Sequence, residues 1–192
     1  SAISVKTNHV SVERNDISLL QIADAERKDQ ARRAELLHAA DLVILCLPDD
    51  SAQKAVDLLE NKDTRVIDAS TAHRTASGWI YGFPEYGAAQ RDAIAKAKRV
   101  SNPGCYATGF IALLRPLVDA GLVPADHPIT VNAVSGYTGG GKALIARMED
   151  PASANPIVSD FFAYSLSLEH KHVPEMQIQS RAPIRNGFTQ FP

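Results

Sequence analysis

The chain predicts an α/β fold, with a Rossmann-like parallel-sheet half followed by an α+β catalytic half that carries a mixed sheet. Three observations lead there. Short continuous apolar runs alternate with helix-like segments up to residue 101, and Leu42-Val-Ile-Leu-Cys-Leu47 is the clearest of them. Such runs are the mark of strands buried on both faces of a parallel sheet, and the alternation with helices marks βαβ units. Near Pro124 the pattern changes, and longer segments with partial alternation replace the short runs. A length of 192 residues holds one large domain or two small ones. The boundary falls just before Cys105, with residues 1–104 as a nucleotide-fold half and residues 105–192 as a catalytic half.

The elements follow in order. Ile17-Ser-Leu-Leu-Gln-Ile22 is a short strand, and residues 31–40, rich in Ala, Leu, Arg and Glu, form a helix. The run 42–47 is a buried strand with Cys46 inside it. Pro48-Asp-Asp-Ser51 ends that strand and supplies capping residues for a helix over 52–60. Residues 65–68 repeat the buried-strand pattern, 86–98 form an amphipathic helix, and 99–101 a short strand. A long apolar helix over 106–120 contains Pro116. Then come a strand over 128–136, a helix over 142–148, a surface loop over 149–160 and a strand over 161–172. Residues 174–181 close as a short helix, with Pro174 in its first turn and Glu175 beside its positive end.

Bulk properties exclude several classes. Apolar residues make up 45% and charged residues 22%, the balance of an ordinary globular protein. A net charge of −2 points neither to nucleic acid nor to a membrane surface. No apolar run is long enough to span a bilayer, and the first residues carry no signal-peptide apolar region. Cys46 and Cys105 are the only cysteines and make no disulfide framework, which fits a reducing cytoplasm.

Four segments carry chemistry. In Ser101-Asn-Pro-Gly-Cys-Tyr-Ala-Thr-Gly109 a cysteine follows a Pro-Gly turn at the start of a helix. The first N–H groups of a helix lack internal partners and its dipole is positive there, which favours the anionic, carbonyl-attacking form of a thiol. Taken alone, Cys105 is equally a small residue packed under a turn. In His170-Lys-His172 an extended chain puts both imidazoles on one face, suited to proton transfer or anion binding. Alone, the pair also reads as a solvated strand end, and with no third ligand at a suitable spacing no metal site is expected. Ser135-Gly-Tyr-Thr-Gly-Gly-Gly-Lys142 is a glycine-rich turn into a helix, able to bring backbone N–H groups to a phosphate. It has neither P-loop spacing nor a Rossmann fingerprint's place in the fold. Asp68-Ala-Ser-Thr-Ala-His-Arg74 offers an arginine fork to a phosphate or carboxylate, or forms a surface ion pair. The charges over residues 24–33 read as a solvated helix face.

Together these segments are more specific than any one. Val100-Ser-Asn-Pro-Gly-Cys-Tyr-Ala-Thr-Gly109 resembles the active-site signature of the N-acetyl-gamma-glutamyl-phosphate reductase family, in its shorter type. Tyr81-Gly-Phe-Pro-Glu85, Val134 to Lys142 and His170-Lys-His-Val-Pro-Glu175 resemble further segments of that family in the same order. The resemblance implies NADPH-dependent reduction of N-acetyl-glutamyl 5-phosphate to the 5-semialdehyde in arginine biosynthesis, by a cytoplasmic homo-oligomer. It implies Cys105 as the thioester-forming nucleophile and His172 as acid/base, with Arg74, His170 and Glu175 at the substrate. For NADP it implies Ser135, Gly136, Thr138, Gly139 and Gly140 at the nicotinamide end, while Pro48 joins them from the fold, since its turn ends a parallel-type strand at the edge where α/β folds bind ligands. The alternatives are a reductase of another acyl phosphate such as aspartyl phosphate, and a fragment serving assembly only. Two departures stand out. Residues 1–16 contain no glycine, so the family's opening strand and Gly-rich pyrophosphate loop are expected to be missing or replaced, and the chain looks truncated at both ends.

Overall fold

Leucine- and valine-rich runs bounded by polar turns become the strands of one parallel sheet. The computed structural model describes residues 2–4, 16–59, 63–167, 169–182 and 188–191, with 2–4 and 188–191 as backbone only. It falls into two units, Ser1–Thr108 and Gly109–Pro192.

In the first unit the strands are β1 (Ala2–Ser4), β2 (Leu19–Leu20), β3 (Leu42–Leu45), β4 (Arg65–Asp68), β5 (Ile80–Tyr81) and β6 (Arg99–Ser101). They pair in parallel in the order β2-β1-β3-β4-β6-β5. The opening strand expected to be missing is therefore present as β1, between β2 and β3. The place of a Gly-rich loop after it lies outside the described residues. Helices α1 (Gln30–Ala39), α2 (Asp49–Asp57) and α3 (Gln90–Lys96) connect the strands. Asp29 caps α1, its carboxylate accepting from the N–H groups of Ala31 at 2.9 Å and Arg32 at 3.2 Å.

The core lies where α1 and α2 cover the sheet, with Leu36, Leu37, Ala52 and Ala55 packed on Val43, Leu45 and Val66. Burying each of these larger side chains contributes about 1.5–3 kcal/mol. β3 is buried on one face only. Val43 and Leu45 point into the core, whereas Ile44 is 41% exposed and Cys46 is exposed rather than buried. The two-residue strand period sends alternate side chains away from the helices. α2 begins three residues earlier than its composition predicts, because Pro48 takes the cap position with no side-chain cap and Asp49 already lies in the helix. The expected helix over 86–98 is split by Gly87, whose backbone is extended (φ 179°), into a 3-10 turn at Pro84–Tyr86 and α3. β4 and β6 match their expected spans.

Helix α4 (Cys105–Asp119) begins in the first unit. The second unit contains β7 (Val131–Val134), α5 (Gly141–Glu149), α6 (Val173–Ser180) and β8 (Phe188–Phe191). Where a mixed sheet is expected, its described strands β7 and β8 pair in parallel. The expected strand over 161–172 does not form among the described residues. Ser165 takes a left-handed conformation (φ 56°) and turns at 166–167 and 171–172 interrupt the chain, leaving an isolated bridge at Tyr164. Arg115 ties the end of α4 to the end of α6. It donates to the Gln179 carbonyl at 2.8 Å and to Asp119 at 3.3 Å, while Arg181 reaches Asp119 at 3.0 Å.

Candidate active site

Because β3, β4, β5 and β6 run parallel, the residues that follow them gather on one edge of the sheet: Pro48, Ala69, Gly82 and Asn102. The last residue of β4, Asp68, is fully buried and opposes Ser101 of β6. A buried carboxylate needs donors. Asp68 accepts from the Ser70 N–H at 2.9 Å and the Ser70 hydroxyl at 2.7 Å, and the His73 Nδ1 lies 2.6 Å away. The His73 ring stacks on Trp79, with centroids 4.1 Å apart and planes 16° from parallel. Arg74, expected at the substrate, donates Nε to the Asn102 carbonyl at 2.9 Å and Nη2 to the Ala69 carbonyl at 3.2 Å. The Asn102 N–H in turn donates to the Asp68 carbonyl at 2.7 Å. From the other side the Gly82 N–H donates to the Ser101 carbonyl at 2.8 Å. A Cβ on Gly82 would meet that same oxygen at 2.8 Å, so the approach requires glycine.

This edge delivers Cys105. Its residue is exposed and is the first of α4. The Gly104 carbonyl accepts both the N–H and the hydroxyl of Thr108 at 2.9 Å, closing the first helical turn. Cys105 is therefore the first residue of a helix, at the end where the helix dipole is positive.

Pro48 stands at the carboxyl end of β3. The chain order reverses between β1 and β3, and open α/β sheets bind ligands in the crevice at such a reversal. Asp49 beside it accepts the Thr71 N–H at 2.8 Å and pairs with the Thr71 hydroxyl, tying this turn to the loop after β4. A cavity of about 200 Å³ opens beside it, lined in part by Ile22, Arg27, Arg33, Leu45, Leu47 and Ser51. Apolar walls, two guanidinium groups and a helix start suit one end of a dinucleotide. Arg27 and Arg33 lie in the stretch that the sequence reads as a solvated helix face, since charges there carry no local sign that a cavity lies beside them.

The second unit holds the remaining expected residues. Ser135 and Gly136 lead into a 3-10 turn at Tyr137–Gly140, and Gly136, Thr138, Gly139 and Gly140 are exposed. Gly141, in a left-handed conformation (φ 75°), opens α5. His172 is buried at the cap position of α6, and its ring meets His170 edge-on with centroids 4.6 Å apart. The two imidazoles thus come together through a turn, not on the face of a strand. The His172 N–H donates to His170 Nδ1 at 3.1 Å. Burial, then the charge of Lys171, lowers the His170 pKa below its ordinary value. Glu175, in the first turn of α6, is buried. Among the described residues no three His, Cys, Asp or Glu side chains group as metal ligands, and no helix is long and apolar enough to cross a membrane.

Two families and several relatives match the chain. Residues 7–97 match the family described as semialdehyde dehydrogenase, NAD binding domain, and residues 105–189 match semialdehyde dehydrogenase, dimerisation domain. N-acetyl-gamma-glutamyl-phosphate reductase of Brucella ovis is 55% identical over 178 residues, covering 92% of this chain and 57% of that protein. The protein of the same name from Brucella anthropi is 54% identical over the same shares. The crystal structure of aspartate semialdehyde dehydrogenase II from Vibrio cholerae superposes with a TM-score of 0.57 at 18% identity, over 90% of this chain and 54% of that one, a likeness of fold. The chain thus spans 57% of the length of the curated relatives it matches.

Proposed function

We propose that the chain is a member of the semialdehyde dehydrogenase family, whose two domain types together match nearly all of it, and that the protein reduces N-acetyl-glutamyl 5-phosphate to N-acetylglutamate 5-semialdehyde with NADPH, as a step of arginine biosynthesis in the cytoplasm. The observation that carries this reading is the exposed Cys105 at the first residue of α4, on a turn held from both sides. The identity of 55% to a reductase of that name supports the substrate. The match of residues 105–189 to a dimerisation domain supports a homo-oligomer.

In this reading Cys105 Sγ attacks the acyl carbon. The bond from that carbon to the phosphate oxygen breaks, phosphate leaves with the electron pair, and a thioester forms on Sγ. The N–H groups of the first turn of α4, at Cys105 and Tyr106, are the donors for the oxyanion that develops on the carbonyl. A reduced nicotinamide, when bound, supplies a hydride. Pro48 at the strand-order reversal lies against the dinucleotide in this reading, and Ser135, Gly136, Thr138, Gly139 and Gly140 offer it backbone N–H groups. The hydride adds to the thioester carbon, His172 gives a proton to the oxyanion so formed, and it takes that proton back as the C–Sγ bond breaks and the aldehyde and the Cys105 thiolate are released. His170, neutral and half-buried, holds substrate, and Glu175 orients an imidazole or accepts from the substrate amide.

The test runs the reaction in reverse, as phosphate-dependent oxidation of N-acetylglutamate 5-semialdehyde with NADP. Cys105→Ser is expected to lower the rate at least about a thousandfold. With N-acetyl-glutamyl 5-phosphate alone, mass spectrometry should find an acyl adduct on the Cys105 peptide. An adduct only from aspartyl phosphate would move the substrate assignment, and the absence of any adduct would remove the catalytic reading.

A further inference from the structure

We propose that Asp68, His73 and Arg74 form a brace that positions Cys105, a role that rests on reading Cys105 as the nucleophile. None of the three is needed to build the sheet ladder, which is made by backbone groups. All three are buried at the strand ends, where polar side chains are costly unless each is engaged.

The chain of contacts runs in one direction. The Asp68 carboxylate gathers the Ser70 N–H, the Ser70 hydroxyl and His73 Nδ1, and so folds the loop after β4 back on itself. Stacking on Trp79 fixes the His73 ring in its plane. The next residue, Arg74, is thereby set with its guanidinium between the exits of β4 and β6, bonded to the Ala69 and Asn102 carbonyls. A planar guanidinium holding two main-chain carbonyls fixes their separation in a way that a flexible ammonium does only in part. Asn102 is held on both sides of its Cα, by the Arg74 guanidinium at its carbonyl and by the Asp68 main-chain carbonyl at its N–H. Three residues later the chain reaches Cys105. Displacement of this turn shifts the thiol relative to the acyl carbon it must reach, and a shift of about 1 Å at a reacting atom costs up to about a hundredfold in rate.

The experiment uses the full chain carrying Cys46→Ser, so that iodoacetamide reports Cys105 alone. Arg74→Met removes the donors at similar length, Arg74→Lys restores one, and His73→Phe keeps a ring on Trp79 but removes the nitrogen facing Asp68. Trp79 is the single tryptophan, so its emission reports the stack and its melting reports folding. Arg74→Met and His73→Phe are expected to slow Cys105 alkylation about tenfold, within the range for a misplaced reacting group. Arg74→Lys should recover most of that loss. The maximal rate of Cys105 acylation by N-acetyl-glutamyl 5-phosphate should fall in parallel, at an unchanged half-saturating concentration. Unchanged alkylation in folded variants would overturn the brace. So would a raised half-saturating concentration at full maximal rate, which would make Arg74 a substrate ligand. Should Arg74→Met fail to fold, His73→Phe decides. Should the parent chain show no acylation at all, the reductase reading fails, and alkylation still decides the brace.

Discussion

His170 Nδ1 accepts the His172 N–H, so the ring carries its proton on Nε2 and is neutral. Burial, and then Lys171, favour that neutral form by lowering the pKa below the ordinary value. The unfolded chain then binds more protons than the folded one at pH values between the lowered pKa and about 6.5. Stability from this residue is complete above that window and falls as pH drops through it. The denaturation midpoint in urea should therefore decrease on acidification through that window, and His170→Gln should flatten the decrease. An unchanged slope would show that the ring is not held neutral. At this scale the sequence was legible where a residue type and its immediate neighbours state the chemistry. Pro-Gly before Cys105 announces a helix start, and His-Lys-His announces two imidazoles. It was not legible for Asp68 and His73, since nothing in a polar turn says which side chains fold inward until the Asp68 carboxylate is seen to gather them.

Strands β5 and β6 approach so closely that Gly82 has no room for a side chain. A Cβ there would lie 2.8 Å from the Ser101 carbonyl and 3.0 Å from Val100 Cγ1. Neither neighbour has an easy retreat, because Val100 and Ser101 are buried in the sheet. Gly82→Ala is expected to cost about 1–3 kcal/mol, as overpacking does, and a guanidinium titration would measure it. Because the displaced strand leads directly to the Cys105 turn, the same variant should also lose activity beyond its loss of stability. A substitution that leaves the midpoint unchanged would mean the strands can part. Elements were legible where apolar runs are short and bounded, as in β4 and β6. They were not legible where alternation is mimicked by a looped chain. Phe161 to His172 alternates well enough to suggest a strand, but Ser165 in the left-handed region breaks it, and no single residue type marks that position. α2 starts early for a related reason: Asp49 and Asp50 look like caps, yet Pro48, with its fixed φ, already takes the cap position.

Across the molecule, the six-stranded parallel order makes one edge of the sheet the place where chemistry collects. Under the proposed function, the reversal between β1 and β3, beside Pro48, is where the dinucleotide would bind. Cys46 lies two residues before Pro48, past the end of β3, and is exposed. This gives the nucleotide site a reporter separate from catalysis. Alkylation of Cys46 by N-ethylmaleimide, followed by peptide mapping in a Cys105→Ser chain, should slow about tenfold near saturation with NADPH, as site occupancy above nine-tenths requires. NADPH should at the same time raise the melting temperature, since a ligand that binds only the folded state stabilises it by mass action. The cavity beside Pro48 carries Arg27 and Arg33, so NADPH is expected to protect better than NADH, its 2′-phosphate being the added anion. Protection without discrimination would leave the crevice as the nucleotide site and remove the two arginines from specificity. Unprotected Cys46 with a raised melting temperature would place the nucleotide away from this edge, against the rule that open α/β sheets bind at the reversal of strand order.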